Sequence, residues 1–114
     1  MGLYKEAQNT YQLPETVKGA TLESINFEVL VNTIAPLATL SSVTCLLAKD
    51  GATTLTLPIT ITNATLWYFS IDLVAGASMD IEEGLHVGDV ETTDSNGVVK
   101  KYVKLELQIL PSPQ

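Results

Sequence analysis

The imidazole and the thiol, the side chains whose ordinary pKa values lie nearest neutrality, each occur once in this sequence, as His86 and Cys45. A histidine works as a general base only when a nucleophile stands within hydrogen-bond reach. No serine or cysteine shares a recognisable motif with His86, so an ordinary strand histidine is expected. Cys45 falls between Val43 and Leu47 at spacing two, the position of a buried, inert thiol. One thiol cannot close an internal disulfide or build a multi-thiolate zinc site, and one imidazole cannot build a multi-histidine site. Asp80, Glu82 and Glu83, with Asp89, offer carboxylate oxygens of the kind calcium selects, but the expected role is a solvated acidic loop. Asp94-Ser95-Asn96-Gly97 opens like a calcium loop, yet its glycine is at the fourth position and Leu105 stands where the glutamate belongs. Turn chemistry accounts for it better. Asn63-Ala64-Thr65 has the form of a glycosylation sequon and is likewise read as a turn. These residues predict no catalytic centre, no metal site and no cofactor.

The elements that carry them follow from composition and period. The chain has 114 residues, 46% hydrophobic and 17% charged, enough apolar material for one packed domain. Thirteen acidic residues against six basic ones give a net charge of −7, which repels a phosphate backbone and anionic membrane surfaces. Nucleic acid is therefore not an expected partner. No apolar run approaches the roughly 20 residues of a membrane helix, so no membrane insertion is expected. Met1 to Gln8 holds neither an apolar signal stretch nor a basic leader, and a soluble chain is expected.

Residues 1–13 read as a polar N-terminal arm carrying Tyr4 and Tyr11, with room for a short strand. Residues 14–114 read as one domain. Ile25, Phe27, Val29 and Val31 alternate with a mostly polar set, which predicts a strand. Pro36 marks a crossing between sheets. Val43, Cys45 and Leu47 repeat the period and end at the turn Lys49-Asp50-Gly51. Thr53–Leu57 and Ile59–Thr62, split by Pro58, are two short strands or one bent edge strand. Trp67, Phe69, Ile71 and Leu73 are expected on the inner face of a core strand. Val74 to Gly84 has room for a single helical turn. His86, Gly88, Val90 and Thr92 share one face of a strand that leads to Asn96-Gly97, a type I′ hairpin signal. Val99, Val103, Leu105, Leu107 and Ile109 then share a face, interrupted by Lys101, until Pro111 stops pairing. The sum is an all-β chain, an antiparallel immunoglobulin-like β-sandwich of about seven to eight short strands.

Several of these segments resemble the N-terminal immunoglobulin-like domain of phage baseplate upper proteins. The residues concerned are Trp67-Tyr68-Phe69-Ser70-Ile71-Asp72, a small-residue loop to Gly84, Asp89 through Gly97, and the closing strand Val98 through Ile109. Gly19-Ala20-Thr21-Leu22, and Pro36-Leu37 before Leu40 and Val43, resemble that family's earlier strand entries, so the likeness runs from about Thr16 to Leu110. The resemblance implies a noncatalytic part of a phage virion or prophage particle, assembled in the host cytoplasm. It implies a tail or baseplate component, a collar or a capsid decoration that forms a homo-oligomer and docks to other phage structural proteins.

The residues expected to serve such contacts are Tyr4 and Tyr11 in the arm, with Leu30, Leu46 and Leu66 on otherwise polar faces and Tyr68 opposite the core. If their strands are neighbours in one sheet, Leu30, Leu46, Leu66 and Tyr68 form a single outer patch. A carbohydrate- or receptor-binding sandwich that stacks its ligand on Tyr68 is the rival reading.

Overall fold

The computed structural model describes residues 9–30 and 36–112, and within them the chain is all-β. Nine strands run in chain order: β1 (Asn9–Gln12), β2 (Thr16–Val17), β3 (Ile25–Glu28), β4 (Leu40–Lys49), β5 (Ala52–Thr56), β6 (Ile59–Asn63), β7 (Tyr68–Ile71), β8 (Gly84–Asp94) and β9 (Val99–Leu110). The strand count exceeds the expected seven to eight because the first residues of the chain supply two short strands. Nor are all the strands short, since β4, β8 and β9 span 10, 11 and 12 residues. No α-helix occurs among the described residues, and the one helical turn is a 3-10 turn at Gly76–Met79.

The strands form two sheets. One has the order β1-β9-β8-β4-β5, with β2 also pairing to β9, and the other has the order β3-β7-β6. Four links carry the chain between sheets: β2 to β3, β3 to β4, β5 to β6 through Leu57-Pro58, and β7 to β8 through the 3-10 turn. With β3, β7 and β6 in one sheet and β4, β8 and β9 in the other, this order is the immunoglobulin-like arrangement of a β-sandwich. Pairing is antiparallel except along β9, where β1 and β2 both run parallel to it. The segment Asn9–Gln12 thus closes the edge of the large sheet, and Leu13 beyond it is buried.

The core lies between the sheets. Leu47, Leu105, Leu107 and Ile109 come from the large sheet, Phe69 and Ile71 from the small one, and Trp67, Leu22 and Met79 from the connections. Ring contacts join the layers, with Tyr11 edge-on to Phe27 at 5.2 Å and Trp67 edge-on to Tyr102 at 6.1 Å.

Three sequence expectations fail locally, each for a backbone reason. Trp67 is buried as expected but precedes its strand, in a turn where its φ is +60°. Asn63 Oδ1 caps that turn by accepting from the Leu66 amide at 3.0 Å. The strand ends at Ile71, so Leu73 escapes the alternation and is exposed. In β9, a register shift between Val90 and Glu91 leaves Tyr102 as an extra residue, and the face beyond it flips. Val99 therefore leaves the face of Leu105 and is exposed. Finally, Asp94 to Gly97 is not a type I′ turn: Gly97 has φ of +80° but Asn96 does not have positive φ. Asp94 Oδ1 accepts from the amides of Asn96 and Val98, which favours a type I turn closed by a left-handed glycine. The type I′ geometry is found instead at Asp50-Gly51, with φ of +54° and +83°, joining β4 to β5.

Candidate functional site

His86 is fully buried on β8, yet both ring nitrogens are engaged. Nε2 lies 2.6 Å from the Glu82 carbonyl oxygen, which can only accept, so Nε2 carries a proton. Nδ1 lies 2.7 Å from Thr54 Oγ1, whose hydroxyl proton has the Leu47 carbonyl at 3.2 Å as its other partner. The shorter contact fits a hydroxyl that donates to Nδ1. The imidazole thereby ties β8, β5 and the loop before β8 together, and its lone pair is taken up inside the core. Lys49 holds the same loop from outside, its Nζ 3.0 Å from Glu82 and 3.2 Å from Asp50, and these two carboxylates push its pKa up.

Cys45 is buried on β4 between Val43 and Leu47. Burial, and secondarily the charge of Asp89, push its thiol up to about 12, so no thiolate is available near neutrality. The acidic residues separate in the fold. Asp80 faces Lys18 at 3.8 Å and Glu82 is held by Lys49, whereas Asp89 stands within β8 opposite Lys104.

The contact residues expected from sequence are divided between the two layers. Tyr68 is on β7, Leu30 just follows β3 and Leu66 precedes β7, all at the small sheet. Leu46 is on β4 in the large sheet, its side chain outward between the buried Cys45 and Leu47 and paired with Thr56 of β5. The single patch joining all four therefore does not form. Tyr11 is exposed on β1, and Tyr4 lies outside the described residues.

Two surface features were not singled out by sequence reasoning. From Gly51 to Ile71 the chain has no charged residue, and this stretch contains both β5 and β6, each the last strand of its sheet. The signal was available in the sequence, but its meaning depends on both strands being edges. The second feature is a shallow groove of about 620 Å³ on the outer face of the small sheet, lined by Asn26, Phe27, Glu28, Thr62, Tyr68 and Phe69. Glu28 and Tyr68 are direct cross-strand partners, and the Glu28 carboxylate accepts from the phenol and raises its pKa. Outside this groove, the Asp72 carboxylate accepts from Ser70 Oγ at 2.9 Å and from Thr60 Oγ1 at 2.6 Å.

Compared with protein-family models and with curated proteins, the chain matches none.

Proposed function

We propose that this chain is a noncatalytic structural module of a phage particle, assembled in the host cytoplasm, which works by self-association and by docking to other structural proteins of the tail, baseplate, collar or capsid surface. The resemblance of its strands to phage baseplate upper proteins supplies the context. The observation that carries the reading is the charge-free flank from Gly51 to Ile71. A molecule of net charge −7 repels its own copies on most approaches, and the β5 edge, which carries no charged residue, lets two copies meet at lower cost. Edge strands offer unpaired backbone groups that a second chain can satisfy. On β5 the exposed Thr53 and Thr56 flank the half-buried Leu55, and Leu46 adds an exposed apolar side chain one strand inward. The fate of the two reactive side chains supports a noncatalytic role: the thiol of Cys45 is held protonated and the ring of His86 is used as a core tie.

Light scattering across a concentration series tests the reading. Reversible association is expected, and a Thr53→Lys, Thr56→Lys double variant should shift it toward monomer. A strict monomer at high concentration, with no binding to co-encoded structural proteins, would contradict it.

A further inference from the structure

We propose that the groove on the outer face of the small sheet is a binding site for a neutral oligosaccharide, a role separate from the association of sheet edges. Its chemistry narrows the ligand by steps. Phe27 and Phe69 turn inward, where their rings stack at 5.5 Å, so the floor beneath the groove is strand backbone. The side chains that rise from it are Asn26, Glu28, Thr62 and Tyr68. None is cationic, and Glu28 adds to the negative field of the whole molecule, which disfavours phosphorylated, sulfated or sialylated ligands. What remains is an uncharged molecule with many hydroxyl groups and an apolar face, and a pyranose ring has both. The half-buried Tyr68 provides an aromatic surface for the C–H face of a sugar. The Glu28 carboxylate accepts from ligand hydroxyls, while the Asn26 amide and the Thr62 hydroxyl both donate and accept.

Two features of the scaffold adapt the face to this use. The register shift between Ile61 and Asn63 makes Thr62 an extra residue in β6 beside Tyr68, and such bulges re-aim side chains. Tyr68 stands directly across from Glu28 on the paired strand, so the backbone register sets the ring beside the carboxylate. The groove is shallow and open, so it suits several residues of a chain passing over the sheet better than one enclosed sugar.

The test is a glycan array followed by ¹⁵N-NMR titration of the full chain with the neutral oligosaccharides that score. Sialylated and sulfated glycans serve as the charged comparison. Binding to neutral glycans is expected, with shifts centred on Asn26, Glu28, Thr62 and Tyr68. Tyr68→Ala should weaken it about tenfold or more. Tyr68→Phe, which keeps the ring and guards against loss of folding, should retain most of it. Thr53→Lys, Thr56→Lys should leave it unchanged, so a failure of edge association does not touch this result. An array with no neutral glycan bound, binding confined to charged glycans, or full affinity in Tyr68→Ala would each overturn the proposal.

Discussion

His86 Nδ1 and Thr54 Oγ1 lie 2.7 Å apart inside the core, and this contact joins strands that are not neighbours in their sheet. β4 separates β5 from β8, so the link passes over the inner face of β4. The extra residue in β5, created by the register shift between Leu47 and Ala48, is Thr54 itself. Its displacement toward the core lets the hydroxyl reach the ring. Thr54→Val preserves shape but leaves a buried imidazole nitrogen unpaired, and should cost about 1–3 kcal/mol in urea unfolding. Long-range ¹⁵N–¹H NMR of the wild type should show the proton of the ring on Nε2.

Gly88 carries a packing constraint of another kind. A Cβ at this position would overlap the Leu46 carbonyl oxygen of the adjacent strand, a backbone atom that cannot swing away. Gly88→Ala should therefore destabilise the fold by more than about 2 kcal/mol. At Gly51, where φ is +83° and the space around the missing side chain is open, Gly51→Ala should cost only about 1 kcal/mol. Chemical denaturation of the pair separates steric overlap from backbone strain.

Cys45 sets an alkaline limit. Its pKa is raised in the fold from 9.0 to about 12, so the unfolded chain loses its proton first as pH rises. Below about 9 the stabilising effect is complete, and above it stability falls until the folded thiol ionises. Between pH ~8 and pH ~10 this group alone should remove on the order of 1 kcal/mol. Cys45→Ala should start less stable, because it opens a cavity, but should lose less over the same interval. Equal losses in both proteins would show that the thiol is not the titrating group. Lys49 adds to the alkaline loss in both, since its raised pKa also favours the fold below its titration and not above it.

The sandwich was legible in the alternation because each long strand has one buried face: Val43, Cys45 and Leu47 on β4, and His86, Val90 and Thr92 on β8, are all buried. Period two also placed Leu105, Leu107 and Ile109 correctly, but it could not foresee the extra residue at Tyr102 that turned Val99 outward. A bulge depends on how two distant strands register, which no local pattern encodes. The aspartate of Asp94-Ser95-Asn96-Gly97 explains another miss, because its carboxylate caps two amides and selects a different turn from the one Asn-Gly favours alone. Buried Trp67 was recognised by type, while its left-handed backbone was hidden by an apparent strand pattern. At the surface, Leu30, Leu66 and Tyr68 were identified as outward groups, but only the sheet order separates them from Leu46. The neutral flank was visible as a run of residues and acquired meaning only when β5 and β6 proved to be edges.

Trp67 offers a spectroscopic check on the packing. Its Nε1–H donates to the Ala38 carbonyl at 2.6 Å, and the ring is almost fully enclosed. As the sole tryptophan, it should emit at short wavelength in the folded protein and shift red in one step on unfolding. Trp67→Phe leaves the Ala38 carbonyl without this donor and removes ring volume, and should lower stability by about 2–4 kcal/mol.

Site-directed cross-linking across the charge-free flank tests the proposed mode of assembly most directly. With the native thiol buried, Thr53→Cys introduces a single reactive group on β5, and Val99→Cys places one at the far end of β9. A short bismaleimide should convert Thr53→Cys to covalent dimer in proportion to protein concentration at association, while Val99→Cys remains monomeric. Equal cross-linking at both positions, or none at Thr53→Cys under conditions where the protein associates, would contradict a flank built for meeting its own kind.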